Sequence, residues 1–260
     1  MLNGDMTTRL MTLSALVATA LAGVAALLPG AGAAQTVQLG QTATPLSAPS
    51  CPKKTSLANC NIVLTRTTAV QVTSDSVINP MRVNQQGWIV SFTVGLSRLV
   101  PKAKERATII KGLDARYGGA PELALSVLEP QPGNTYKLVA QSGVYGLTPF
   151  LGRLLQQPMS VPPRFTTFTA LPVYRGDVVA LTVPTWAPVL SLDLPRGRFS
   201  YRQSRRANCN HPAATQTAQT HVGATGTYGC YYAGTRLEYG ATEITDTKVP
   251  RNYAGKAARR

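Results

Sequence analysis

Charged side chains are scarce in this 260-residue chain, at 14% of residues, and acidic ones are scarcer still, with 11 Asp and Glu against 26 Lys and Arg. There are only two histidines, two tryptophans and four cysteines. With two histidines and no Gly-x-Ser-x-Gly turn, a Ser-His-Asp hydrolase site has almost nothing to be built from. Beyond the N-terminal region no apolar run reaches the roughly 18 residues that a helical membrane span requires. Long stretches of helical period and internal repeats are also missing, which argues against a bundle or a solenoid.

What is present points to an exported β protein. At 44% hydrophobic residues the chain has the apolar content for a large core, so disorder of the whole is excluded. Its formal charge is +15. Gly and Pro total 41 residues, which suits many short strands joined by turns. Near the start, Arg9 precedes an apolar run from Leu13 to Leu28. Small residues follow at Ala31, Gly32, Ala33 and Ala34, the pattern of a secretory signal peptide over residues 1–34 with cleavage after Ala33 or Ala34. There is no twin arginine, and no Cys follows the small-residue box, so general export and release are expected, with no lipid anchor. The expected location is extracellular or cell-wall associated.

Cys51, Cys60, Cys209 and Cys230 all lie after that segment. An even count in an oxidising compartment predicts two disulfides, and of three pairings the local one, Cys51–Cys60 with Cys209–Cys230, is favoured. Loop closure alone gives such bonds up to about 2.7 and 3.4 kcal/mol for loops of roughly 10 and 22 residues.

Residues 35–61 read as an extended leader and 247–260 as a basic tail. Between them, 62–246 read as one antiparallel β-sandwich of jelly-roll type. Strands are expected over 62–72, 87–97, 123–129, 135–144, 178–183, 198–204 and 236–245. In the second of these, Trp88, Val90, Phe92, Val94 and Leu96 should share the buried face, with Ile89 on the other. Pro130-Gln131-Pro132-Gly133-Asn134 marks a hairpin reversal. Residues 101–113 should form a short helix or a charged loop. Five prolines between 149 and 172 confine that stretch to edge strands or arms.

Over Leu171–Leu190, the run Val173-Tyr174-Arg175-Gly176-Asp177-Val178-Val179-Ala180-Leu181, followed by Pro184-Thr185-Trp186-Ala187-Pro188, resembles a group of uncharacterised secreted β-sandwich proteins of actinobacteria. The likeness extends to the late cysteine pair and a Tyr-rich final strand. It implies an exported sandwich and carries no activity with it.

Catalytic material is thin. Glu122 and Glu129 bracket one strand, and residues seven apart on a strand are separated by about 23 Å, beyond the reach of a glycosidase carboxylate pair. Cys209, His211, His221 and Cys230 have zinc-ligand chemistry, but their spacing matches no closed site and oxidation would consume both thiols. Asp177 and Asp193 are single carboxylates in turns, short of a calcium loop. No cofactor is implied. Trp186, between two prolines, reads as a loop residue that is either a lid over one end of the sandwich or an exposed ring able to stack on a sugar.

Arginine is the residue type with functional content. Arg196, Arg198, Arg202, Arg205 and Arg206 are interleaved with Phe199 and Tyr201 and contain no acid among them. Arginine forks take carboxylate or phosphate bidentately, so this stretch is expected to face an anionic polymer. No nucleic-acid-binding motif accompanies it, so sequence-specific nucleic-acid recognition is not expected. The expectation is therefore a secreted, non-enzymatic β-sandwich binding anionic cell-wall polymer or polysaccharide. The alternative is a secreted hydrolase of polysaccharide or ester bonds that draws on Glu122, Glu129, Asp177 and His221.

Overall fold

A computed structural model describes residues 34–49, 62–159, 170–209, 215–246 and 248–249. The expected signal segment up to residue 33, the Cys51–Cys60 pair, His211 and nearly all of the basic tail lie outside them. Among the described residues strands make up 46% and there is a single α-helix, which makes the fold all-β.

In chain order the strands are β1 (Thr36–Leu39), β2 (Leu64–Ser74), β3 (Val77–Ile78), β4 (Gly87–Gly95), β5 (Glu122–Gln131), β6 (Thr135–Gln141), β7 (Tyr145–Gly146), β8 (Leu154–Pro158), β9 (Leu171–Val173), β10 (Val178–Ala187), β11 (Leu190–Ser191), β12 (Ser200–Gln203), β13 (Thr225–Thr227), β14 (Cys230–Ala233), β15 (Arg236–Leu237) and β16 (Tyr239–Thr245). The helix α1 (Ala103–Tyr117) follows β4.

The smaller sheet runs β1-β16-β4-β8, with β9 also on β4. The larger runs β13-β6-β5-β10-β2-β12-β14 and curls into a half barrel, while β11 and β15 form a separate pair. Every pairing between strands is antiparallel, and the chain crosses repeatedly from one sheet to the other. The sheets close face to face over a shared core. Phe92 and Val94 of the small sheet pack with Leu125, Val127, Leu181 and Tyr201 of the large one. Tyr239 reaches across the layers, donating from its hydroxyl to the Val179 carbonyl at 2.9 Å.

Local chemistry accounts for most boundaries. The hairpin β5–β6 reverses where Gly133 and Asn134 adopt φ of 73° and 55°, as the Pro-Gly-Asn turn predicts. Among the described residues of 149–172 the strands are β8 and the start of β9, both on the far edge of β4. Helix α1 ends at Gly118, whose φ of 87° a side chain would oppose and whose N–H caps the Asp114 carbonyl at 3.0 Å.

Three details depart from the expected pattern. The leader contributes β1, which pairs with β16. The helix starts at Ala103 and ends four residues past the 101–113 window, at Tyr117. In β4 the alternation breaks at Val90, an extra residue opposite β16 between the pairs Ser91–Thr242 and Ile89–Glu243. That bulge turns Ile89 inward, to 0% exposure, and leaves Val90 half-buried, while Trp88 stays buried as expected.

Candidate functional site

The five-arginine stretch does not form one basic face. Strand β12 has period two, so Tyr201 and Gln203 turn into the sandwich while Ser200 and Arg202 turn out. Tyr201 is buried and stacks on Tyr232 with ring centroids 4.8 Å apart. Burial pushes its phenol far above the ordinary range, against a hydrogen bond from Gln203. Just past the strand the backbone bends, with the Arg205 N–H donating to the Gln203 carbonyl at 2.7 Å. The bend swings Arg205 inward to 3% exposure. There Nη2 donates to the Thr65 carbonyl at 2.7 Å and Nε to Gln203 Oε1 at 3.0 Å, and desolvation lowers the guanidinium's pKa. Arg205 is a strut joining β2 to β12 and is closed to a polymer.

Arg198 is exposed but neutralised. Its Nη2 lies 2.6 Å from Asp75 Oδ1. The same carboxylate accepts from Thr44 N at 2.6 Å and Thr44 Oγ1 at 2.9 Å. Burial acts upward on Asp75, but the Thr44 and Thr42 hydrogen bonds and the Arg198 charge together hold it down at about 2. Arg196 and Arg206 are exposed and lie outside the ladder.

Trp186 is likewise not a loop residue. Strand β10 continues through Pro184 by a register shift against β2, which carries Trp186 into the sheet at 0% exposure. Helix α1 covers it. Leu113 and Tyr117 pack on the indole, and Nε1 donates to Asp114 Oδ1 at 2.9 Å. A sugar has no access to that ring.

Cys209 and Cys230 form the expected disulfide, which consumes both thiols, and His221 is exposed in a loop. Among the described residues no group of three or more His, Cys, Asp or Glu side chains is arranged to hold a metal. Glu122 and Glu129 sit at opposite ends of β5. Asp177 serves its own turn, accepting from the Tyr174 N–H at 2.8 Å. Burial raises its carboxyl to about 6, the Tyr174 bond opposes this, and the nearby Glu129 charge adds to it. Neither Asp177 nor Glu129 lines the groove of about 730 Å³ between residues 38–46 and the small sheet, nor the one of about 320 Å³ beside Tyr232.

What the fold does assemble is a patch on the outer face of the large sheet. Residues directly opposite in an antiparallel ladder share a face. One row across the sheet is therefore Tyr231–Arg202–Val70, and the next is Ala233–Ser200–Thr73–Ile78. Ser200 and Arg202 are two apart on one strand, so both rows point the same way, opposite to Tyr201 and the main core. Arg202 lies over the Tyr231 ring at 5.1 Å and donates from Nη1 to the Tyr228 carbonyl at 3.1 Å. Beyond Val70, Leu128, Leu138, Ala180 and Tyr228 form a second, smaller apolar cluster, with Tyr136 edge-on to Tyr228 at 4.7 Å. Arg82 forms an antiparallel bridge with Val178, whose partner on β5 is Leu128 of that cluster, so Arg82 shares this face. Burial raises the Tyr136 phenol, and the charges of Arg202 and Arg82 oppose the rise. Among the described residues the ion pairs are Lys102–Glu105, Arg198–Asp75 and Arg236–Glu238, so neither Arg82 nor Arg202 belongs to one.

Of the predicted residues, then, Arg202 alone belongs to this patch. Arg82, Tyr231 and Ile78 come from segments that sequence reasoning passed over, and Tyr136 from an expected strand in which it had no assigned role. The adjacent Tyr231-Tyr232 pair was the available signal, since in a strand one of two neighbouring tyrosines must face outward.

Known proteins offer no guide to this surface: no family model, no curated protein and no solved structure matches the chain.

Proposed function

We propose that the protein is a secreted, non-enzymatic β-sandwich that associates with an anionic envelope polymer through the outer face of its large sheet. The observation that carries this reading is Arg202, whose guanidinium is stacked over the exposed Tyr231 ring, shares its sheet face with Arg82, and has no acidic partner among the described residues. A guanidinium held over an aromatic ring is already ordered and partly desolvated, so it loses little side-chain entropy when it takes up a carboxylate or phosphate. The net charge of +15 adds a long-range pull on any polyanion. The Cys209–Cys230 disulfide supports an oxidising compartment. Among the described residues no helix is long and apolar enough to cross a membrane.

The test is co-sedimentation of the purified protein with isolated cell wall or an immobilised polyanion. Binding should weaken steeply between 50 mM and 1 M salt. In the Arg82→Ser/Arg202→Ser double variant it should drop at least about tenfold, as expected for losing two charge-assisted contacts. Binding that persists at 1 M salt, or that ignores the double substitution, sinks the reading.

A further inference from the structure

The patch is not simply basic. Ile78, at 73% exposure, is the most exposed of the large exposed hydrophobic residues among those described, and Tyr231 is exposed at 48%. Both lie on the same sheet face as Arg202, one row apart. Val72, half-buried, is the extra residue between those rows, opposite the step from Ser200 to Tyr201.

Ile78 is also held firmly in place. The turn before it, Asp75-Ser76, has φ of 49° and 69° at two successive non-glycine residues, the geometry of a tight two-residue hairpin. Asp75 is pinned by Thr44 and Arg198, and the Ser76 N–H donates to the Arg198 carbonyl at 3.1 Å. The Asn79 N–H donates to the Val72 carbonyl at 2.8 Å. An isoleucine on a turn anchored at both ends is presented in the free protein much as it would be when bound, which lowers the ordering cost of a contact.

A polyphosphate offers anionic oxygens and no apolar surface, so it would use Arg82 and Arg202 and leave Tyr231 and Ile78 in water. A chain of sugar acids offers both, because a pyranose ring has an apolar C–H face and its carboxylate projects from the rim. We propose that this face binds a carboxylated polysaccharide, with sugar rings laid against Tyr231 and Ile78 and a uronate carboxylate on the Arg202 fork. The proposal rests on the polyanion reading above and specifies its ligand. Neighbouring strands are about 4.8 Å apart, comparable with the length of one ring, so a glycan crossing the strands places successive rings at successive side chains.

The experiment compares polygalacturonate with long-chain polyphosphate at matched anion concentration and fixed salt, by titration calorimetry, for the wild type and for Tyr231→Ala, Ile78→Ser and Arg202→Ser. Tyr231 and Ile78 are exposed, so their substitutions leave folding intact. Polygalacturonate should bind the wild type about tenfold more tightly than polyphosphate. Tyr231→Ala and Ile78→Ser should each cost about 3- to 10-fold on polygalacturonate, the scale of one lost aromatic or aliphatic contact; Ile78→Ser should leave polyphosphate unchanged, and Tyr231→Ala, which also frees the Arg202 guanidinium, should weaken polyphosphate less than polygalacturonate. Arg202→Ser should weaken both. Equal or tighter polyphosphate binding, or silent Tyr231 and Ile78 variants, overturns the glycan proposal while the polyanion reading stands. Failure of both polymers to bind removes the polyanion reading itself. A third arm uses phosphatidylglycerol vesicles: Ile78-dependent capture there, without polygalacturonate binding, makes the face a membrane contact and also overturns the proposal.

Discussion

Glu243 is the residue at which this fold sets its own pH limit. It lies on β16 opposite Val37 and Ile89, is 1% exposed, and its Oε1 has no hydrogen-bond partner. Gly87 leaves it room, since a Cβ there would sit 3.0 Å from that oxygen. Burial alone raises the carboxyl from 4.5 to about 7. A raised acid is stabilising while protonated. Its contribution is full below the unfolded value of 4.5, fades as pH climbs through 7, and is gone above that. Glu243→Gln keeps the shape and removes the ionisation. The urea midpoint of the wild type should therefore fall between pH 5 and 8, and that of the variant should fall less, by what the other carboxyls raised by burial, Asp177 and Glu238, contribute. At pH 8 the variant should be the more stable by about 1–3 kcal/mol, the cost of an unsatisfied buried group. Parallel pH profiles for the two proteins would refute this. Arg205 teaches the complementary lesson about sequence. Its acid-free neighbourhood reads as a binding surface, yet its partner is the Thr65 carbonyl, 140 residues away. Nothing local announces such a contact, whereas the outward turn of Arg202 follows from strand period alone.

At the scale of elements, what could be read in advance was what local chemistry dictates. The β5–β6 hairpin, the edge placement of the proline-rich stretch and the strand after Gly176-Asp177 all follow from turn residues and backbone donors. Trp186 was misread because Pro184 and Pro188 look like strand terminators, and the register shift that lets β10 pass Pro184 depends on β2, far away in sequence. Helix α1 was legible only as one of two readings, a short helix or a charged loop, because it has a weak apolar stripe, with Leu113 and Tyr117 as its buried residues. A helix with so little to bury needs a specific anchor, and the Trp186–Asp114 hydrogen bond supplies one. Asp114→Ala should leave the buried indole N–H without its acceptor and destabilise the protein by about 1–3 kcal/mol in urea unfolding. Asp114→Asn retains an acceptor and should cost less. In acrylamide quenching, fluorescence from Trp186 should become more accessible in the Ala variant, read in a Trp88→Phe background so that a single indole reports. Equal stability of the Ala and Asn variants, with no change in quenching, would show that packing alone holds the helix.

For the molecule as a whole the question is whether its +15 charge acts as a diffuse coat or through one place. The fold removes several cations from circulation: Arg205 is buried, Arg198 is paired with Asp75, and Arg236 is buried beside Glu238 at 3.7 Å. Arg82 and Arg202 remain on a face that also offers apolar surface. Salt dependence distinguishes the two cases, because each anionic group neutralised by a cation contributes at most about 0.9 to the slope of log affinity against log salt. Focal binding through two arginines predicts a slope of about 2 or less, and diffuse binding by the full excess predicts a slope several times larger. Arg202→Ser should lower the focal slope by about one and weaken binding together with it. Removing residues 250–260, which carry Arg251, Lys256, Arg259 and Arg260, should change neither slope nor affinity for polygalacturonate by more than about twofold if the face is the site. A tail deletion that flattens the slope while Arg202→Ser leaves it untouched would move the contact from the sheet to the tail. The polymer would then be held by charge alone, with no part for Tyr231 or Ile78.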